Sequence, residues 1–190
     1  MKKMARYFLC LAFIAAGMIL ASRQILAADW RKHVDRQNGF AVMYDSALTP
    51  IAPNESATKL SLTSGDGQRC FVVVIANPLA TAENAKSIVA AMVNNRDMME
   101  QEYKKLYKDV YLSSVRPVIA SGNYDAAMLT YAAQYEALGA EILMSVIEVH
   151  LPIRQRTYKF GCSTGRPLDD SFKSSAESFI RSFQLIPVEN

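Results

Sequence analysis

The stretch Gly161-Cys162-Ser163-Thr164-Gly165 matches G-x-S-x-G, the pattern that carries the nucleophilic serine of α/β hydrolases. In those enzymes a sharp strand-to-helix turn exposes the serine, and an acid and a histidine follow it along the chain. Here both histidines, His33 and His150, precede Ser163, and Arg166-Pro167 stands where the helix should begin. The order of the residues therefore argues against a hydrolase site, and we expect no catalytic residue in this stretch.

A second set of serines follows the order found in penicillin-recognising enzymes. Ser56-Ala57-Thr58-Lys59 matches S-x-x-K, Ser121-Gly122-Asn123 matches S-x-N, and Ser163-Thr164-Gly165 comes third. Those enzymes place S-x-x-K at the start of a helix, so that the lysine meets the serine one turn later. Because Lys59 falls on a predicted strand and the third motif lacks its leading lysine, we exclude this chemistry.

Residues that could bind a metal are sparse. Glu148 and His150 alternate on one face of a predicted strand and could share a ligand; alternatively, they mark a strand end that emerges into solvent. Neither His33 nor His150 has a Cys, an Asp or a second His at the spacing of a zinc site. Asp169 and Asp170 are explained by capping of a helix. We therefore expect no metal and no cofactor.

Two charged and two aromatic residues lie on one side of a predicted strand: Arg154, Arg156, Tyr158 and Phe160. This pattern fits a binding surface made by Arg154, Arg156 and Tyr158 for an anionic partner or peptide. It also fits a strand whose first residues are exposed and whose later residues are buried in the core. Strand alternation often produces such a pattern.

The first thirty residues have the layout of a secretory signal peptide. A basic opening (MKKMAR) precedes an uncharged apolar run over residues 7–21, and small residues follow near Ala27. We expect cleavage after Ala27, with Ala28 or Ala21 as neighbouring sites, which leaves residues 28–190 as a single domain. The alternative is an uncleaved anchor, but the run is shorter than the ~20 apolar residues of a spanning helix.

Removal of residues 1–27 changes the charge balance. The segment contains four of the 21 basic residues and none of the 18 acidic residues, so 17 basic residues remain against 18 acidic ones. A chain this close to neutral gives no electrostatic argument for binding nucleic acid or an anionic membrane. We expect a periplasmic or secreted protein that is not attached to the membrane after cleavage.

Two cysteines, Cys70 and Cys162, remain after processing. Two thiols in one exported chain usually pair, and closing a loop of roughly ninety residues is worth about 4 kcal/mol. We expect a disulfide between them. The alternative is a pair of buried free thiols at strand positions.

Strands dominate the predicted elements. Alternation and turn residues predict strands at 30–34, 40–44, 58–63, 70–75, 110–119, 124–135, 141–150 and 153–162. An apolar stripe from Ala85 to Leu106 predicts one long mid-chain helix, which starts near an N-cap at Thr81 and is interrupted, if anywhere, at Asn94-Asn95. A last helix follows Pro167, with its cap at Asp169 or Asp170.

Most predicted connections between strands are short, so neighbouring strands should be antiparallel. Strands joined by hairpins, together with helices that pack on the sheet, are typical of an α+β fold. The sequence therefore predicts an αβα sandwich with a mainly antiparallel sheet, a long mid-chain helix and a C-terminal helix.

The order of elements resembles the PsbP/Mog1-like superfamily, including its small exported bacterial members. The resemblance rests on Asn38-Gly39-Phe40, on Ser121-Gly122-Asn123-Tyr124-Asp125-Ala126, on Tyr158-Lys159-Phe160-Gly161-Cys162 and on a final helix that runs into Ser182-Phe183. It covers nearly the whole mature chain. The resemblance implies an αβα sandwich that acts as a binding or assembly accessory, because the superfamily contains a photosystem subunit and a Ran-GTPase-binding protein. No functional residue of either is matched here.

The sequence therefore predicts an exported, non-catalytic accessory protein of the bacterial cell envelope, whose partner is another envelope protein. Two other classes stay open: a small periplasmic hydrolase or peptidoglycan-active enzyme, and a carrier of a small apolar ligand held between sheet and helix.

Overall fold

The computed structural model of the chain describes residues 29–137 and 139–189. The predicted signal peptide of residues 1–27 lies outside the described residues, and so does its cleavage site.

The described chain begins with a hairpin of β1 (Trp30–Asp35) and β2 (Phe40–Asp45), as the Asn-Gly turn predicts. Gly39 has a φ of +73°, and a Cβ atom there would lie 2.7 Å from a side-chain carbon of Val188, so the turn requires glycine. β10 (Gln184–Leu185), which the sequence did not predict, pairs with the other side of β2 and completes a three-stranded sheet.

The main sheet has seven strands in the order β3-β4-β5-β9-β8-β7-β6, and every neighbouring pair is antiparallel. The strands are β3 (Thr49–Pro50), β4 (Thr58–Thr63), β5 (Arg69–Ala76), β6 (Asp109–Ala120), β7 (Tyr124–Ala137), β8 (Ala140–Ile153) and β9 (Arg156–Thr164). β9 is the last of them in sequence but lies at the centre, where it joins the early strands to the late ones.

The predicted mid-chain helix is present but divided in two. α1 (Ala85–Asn94) ends and α2 (Arg96–Lys104) begins at Asn95, which is not helical and caps both. The predicted N-cap Thr81 lies one turn too early. Asn84 is the N-cap residue instead. The backbone N–H of Asn84 donates a hydrogen bond to the Thr81 hydroxyl at 3.2 Å.

The C-terminal helix α3 (Asp170–Ser182) starts where the sequence predicts. The Asp169 carboxylate accepts a hydrogen bond from the backbone N–H of Phe172 at 2.7 Å, which satisfies one of the unpaired donors of the first turn. The predicted apolar face of α3 is buried: Phe172, Ala176, Phe179 and Ile180.

The helices cover opposite faces of the main sheet. α3 and β2 pack on one face, around Phe160, Phe179 and Phe183, while α1 and α2 pack on the other through Val89 and Tyr103. This is the α+β, αβα sandwich that the sequence predicts, with a mainly antiparallel sheet.

Pro152 was predicted to end β8, but it lies within that strand, opposite Thr157 of β9. The ladder between β8 and β7 ends at His150, so Pro152 has no partner on that side and its missing N–H is tolerated. The turn is made instead by Arg154 and Gln155, both with a φ of 56°. Such values are uncommon for residues other than glycine.

The cap of α3 can be tested with two neighbouring aspartates. Asp169→Ala removes the capping carboxylate and should lower the free energy of unfolding by about 1 kcal/mol in urea denaturation. Asp170→Ala, the control, removes an exposed carboxylate and should have a smaller effect. Equal losses in the two variants would contradict the assignment of Asp169 as the cap.

Candidate functional site

The G-x-S-x-G stretch does not form a nucleophile elbow. Gly161 to Thr164 belong to β9, and α3 begins only at Asp170. In the described chain neither histidine contacts Ser163: the Nε2 atom of His150 engages Tyr103 and Glu148, and His33 lies on β1 of the other sheet. Among the described residues, Ser163 therefore has no histidine that could act as its base.

Gly161 is required by a close approach of two strands. It lies directly opposite Glu148 in the ladder between β9 and β8. A Cβ atom on Gly161 would overlap the carbonyl oxygen of Ile147 and lie 2.8 Å from the Cβ atom of Glu148. The glycine therefore serves sheet packing, and it makes room beside the Glu148 side chain.

Cys70 and Cys162 form a disulfide, as predicted from their number and from the expected compartment. They lie opposite each other on β5 and β9, and both are fully buried in the layer under α3. Both β5 and β9 are interior strands of the main sheet. The bond joins the early half of the sheet to the late half.

Four polar side chains meet in the apolar layer under α1 and α2. The Tyr103 hydroxyl donates to Oε1 of Glu148 and lies 3.0 Å from Nε2 of His150, which is 2.7 Å from the same Oε1 atom. The Tyr131 hydroxyl lies 3.4 Å from the other carboxylate oxygen, Oε2. We call Tyr103, Tyr131, Glu148 and His150 the buried cluster. Because carboxylate oxygens only accept, Nε2 of His150 carries the proton.

Burial is the main influence on these groups. Burial lowers the pKa of His150, against the effect of its hydrogen bond to Glu148. Burial acts to raise the pKa of Glu148, but His150, Lys159 and Tyr103 together bring it below its ordinary value. Burial and then the charge of Glu148 raise the pKa values of Tyr103 and Tyr131 well above the usual range. A carboxylate is thus buried among the hydrogen-bond donors of Tyr103, Tyr131 and His150.

Sequence reasoning found two members of the buried cluster and missed two. Glu148 and His150 were placed correctly on one face of a strand, but the expectation that they emerge into solvent is wrong, because both are less than 4 % exposed. Tyr103 and Tyr131 come from α2 and β7. The available signal was the position of Tyr103 on the apolar stripe of its helix; its polar end needs a partner when it is buried.

The structure places the predicted arginine surface beside the β1–β2 turn. Arg156 donates to the carbonyl oxygen of Asn38 at 3.1 Å, and Arg154 donates to that of Ile186 at 2.7 Å. Tyr158 is fully buried, and its hydroxyl donates to the Asn38 carbonyl oxygen at 2.8 Å, so the expectation that it belongs to an exposed surface is wrong. Binding by Arg154 and Arg156 stays a prediction.

The remaining motifs have structural explanations. Lys59 lies on β4 and donates to the carbonyl oxygen of Ser56, so S-x-x-K is not at the start of a helix. Asp169 caps α3. Within residues 29–137 and 139–189, no helix combines the length and the apolar character that a bilayer crossing needs.

One part of the sheet is left uncovered by α1 and α2. Two clefts, of about 360 and 250 Å³, lie on either side of Arg69 and Ser163, which are opposite each other on β5 and β9. Phe71 and Val73 line one cleft, and both side chains are half-buried. The other cleft is lined by Tyr107, Tyr135, Ile142 and Met144. We call this surface, from Val73 to Met144 across Arg69 and Ser163, the open face.

The two glycines of the G-x-S-x-G stretch give a matched test. Gly161→Ala forces β9 away from β8 and should lower the free energy of unfolding by about 3 kcal/mol. Gly165→Ala should have little effect, because the nearest heavy atom to a Cβ atom there is 4.0 Å away. Urea denaturation of both variants measures the difference, and a tolerated alanine at position 161 would contradict the close approach.

The disulfide predicts a dependence on reductant. Intact mass of the oxidised protein should fall short of the reduced value by two hydrogen atoms. Reduction should lower the free energy of unfolding by about 4 kcal/mol, because the bridge closes a loop between residues 92 apart. A Cys70→Ala, Cys162→Ala double variant is the control and should not respond to reductant. Two titratable thiols in the native protein would contradict the bond.

Comparison with solved structures finds a related fold. The chain is similar to cyanobacterial PsbP (CyanoP) from Synechocystis sp. PCC 6803, with a TM-score of 0.58 and 12 % identity over 85 % of this chain and 95 % of that one. A protein from Bacteroides thetaiotaomicron VPI-5482 has a TM-score of 0.49 and 8 % identity over 82 % of this chain, which spans about half (48 %) of that protein's length.

Comparison of the sequence gives no further relationship. No family model matches it, and neither does a curated protein. The identity to CyanoP is low enough that the likeness concerns the fold alone. The αβα sandwich and the disposition of its strands nevertheless agree with the resemblance inferred from the sequence, and the chain has a PsbP-like fold.

Proposed function

We propose that the protein is an exported accessory protein of the bacterial cell envelope, which binds another envelope protein and catalyses no reaction. The observation that carries this proposal is the open face, where two clefts meet at Arg69 and Ser163. The signal-peptide pattern of residues 1–27 and the disulfide, which requires an oxidising compartment, support export.

The chemistry of the open face suits a protein segment. The lining of its two clefts combines apolar and aromatic side chains, which are typical of the centre of a protein interface, with polar ones that include Glu55, Arg69 and Ser163. Arg69 is exposed, and none of the described carboxylates forms a salt bridge with it. A partner segment with apolar side chains and one acidic group would therefore find complementary contacts on both sides of Arg69.

Arg154 and Arg156 offer a second surface to the same partner. Each guanidinium group donates to main-chain carbonyl oxygens of neighbouring segments, and no carboxylate among the described residues pairs with either group. Their charge is thus not neutralised locally. We assign them a supporting role, because Arg156 fixes the β8–β9 turn against the β1–β2 turn and Arg154 fixes it against the C-terminal tail.

The alternative is a carrier of a small ligand, and one cleft is the feature that supports it. A cleft of about 290 Å³ lies between α3 and the β6–β7 hairpin, with Met128 and Ile180 on its floor and Arg116 at its rim. This cleft opens to solvent, whereas a carrier needs an enclosed apolar cavity. The accessory function therefore stays our preference.

Affinity capture from envelope extract tests the proposal. The tagged wild-type protein should recover one reproducible partner, and Arg69→Glu should lose it by reversing the charge at the centre of the open face. Arg31→Glu is the matched control, because Arg31 is also exposed but lies on β1 of the other sheet. Ser163→Ala should retain the partner.

The contrary result is also specific. If no partner is recovered, and the wild-type protein has a hydrolytic activity that Ser163→Ala abolishes, the protein is an enzyme and the accessory function is wrong. Loss of the partner in both Arg69→Glu and Arg31→Glu would place the contact elsewhere.

A further inference from the structure

The buried cluster is a set of four metal-binding side chains whose donor atoms already converge. We propose that Tyr103, Tyr131, Glu148 and His150 bind a hard transition-metal cation, and that ferric iron is the ion that fits them best. This inference goes beyond the proposed accessory function and does not depend on it.

Three of the donor separations suit ligands on one ion, whereas the hydrogen bond between the Tyr103 hydroxyl and Oε1 of Glu148 is too short for two ligands and must lengthen on binding. Nε2 of His150 lies 2.7 Å from Oε1 of Glu148 and 3.0 Å from the Tyr103 hydroxyl, and the Tyr131 hydroxyl lies 3.4 Å from Oε2 of Glu148. Neighbouring ligands at about 2.0–2.1 Å from a metal are themselves about 3 Å apart. An ion could therefore replace the shared protons with small movements of the side chains.

The ligand types select the metal. Phenolate and carboxylate oxygens are hard anionic donors, which a trivalent ion such as Fe³⁺ prefers, and the neutral imidazole of His150 also suits iron. Two phenolates and the Glu148 carboxylate together carry three negative charges, so a ferric site would be neutral overall. Charge balance matters here because an unpaired charge is costly in a buried site.

Binding of the ion must be coupled to the release of protons. Each phenol proton passes to solvent, as metal binding commonly requires. Nε2 of His150 must also give up its proton, and the ring takes up a proton at Nδ1, so that the imidazole binds as a neutral ligand.

Two of the four proposed ligands are phenols rather than the side chains that most often bind metals. No group of three His, Cys, Asp or Glu side chains in the described part of the chain could hold an ion. Only two members of the buried cluster belong to those types, and the phenols supply the rest. For the same reason the spacing of His, Cys and Asp in the sequence predicts no metal.

A tyrosine links the buried cluster to the surface. Tyr107 lines the larger cleft of the open face, and its ring centroid lies 6.3 Å from those of both Tyr103 and Tyr131. Rotation of this half-buried side chain would open a route from solvent. Lys159 is the nearest basic group, with its Nζ atom 5.7 Å from the Tyr103 ring centroid. Its single charge opposes a cation, but the three ligand anions outweigh it.

Phenolate bound to ferric iron absorbs visible light by charge transfer from ligand to metal, which gives a direct readout. Titration of the purified protein with ferric citrate should produce this band with one iron per chain. Tyr103→Phe and Tyr131→Phe should each weaken the band and reduce iron affinity at least tenfold. Tyr111→Phe, the control, removes an exposed phenol (68 % exposed) and should leave both unchanged.

Glu148→Gln tests the carboxylate with a readout that does not depend on colour. Iron should raise the melting temperature of the wild-type protein, because a ligand that binds the folded state stabilises it, and it should not raise that of this variant. Circular dichroism of every variant establishes that it is folded. Absence of bound iron in the wild-type protein, or a band of undiminished intensity in Tyr103→Phe, would overturn the site.

Discussion

The structure depends on the pairing of β9 with two strands that are far from each other in sequence. β5, β9 and β8 lie side by side in the main sheet. β9 therefore connects the strands from the first half of the chain to the strands from the second half. The contacts that fix it are all local to this strand: the disulfide at Cys162, the glycine at 161 and the stacking of Phe160 on Phe183, with ring centroids 3.9 Å apart. The final helix and the first hairpin both pack on the side chains that this strand presents.

The same strand decides what happens on the opposite face. Gly161 carries no side chain between Phe71 and Glu148, which occupy the neighbouring positions on β5 and β8. The space above Gly161 on this face of the sheet therefore holds a buried carboxylate and its hydrogen-bond donors. Burying such a group costs free energy that an apolar residue would not, so its presence points to a role other than stability. The cluster and the open face adjoin at Tyr107, which brings the two proposed binding features into one region of the molecule.

Much of the fold could be read from local patterns. The Asn-Gly turn, the apolar run of β5, the apolar stripe of α1 and α2 and a cap at Asp169 or Asp170 each depend on residues close together in sequence, and each was predicted. The errors have non-local causes. Pro152 lies inside β8 because β7 stops pairing at His150, and β10 exists because the tail returns to β2. Tyr158 is buried because the β1–β2 turn and Phe183 cover it.

The sequence by itself determined the fold class of the protein. It predicted an exported chain with one disulfide, an antiparallel αβα sandwich and a serine motif that lacks a usable base, since these follow from composition, spacing and residue order. Only the tertiary structure decided which polar side chains meet. Glu148 and His150 share a strand, but Tyr103 and Tyr131 reach them from α2 and β7 through strand register and helix placement. Those are set by packing between distant segments, and no local pattern encodes them.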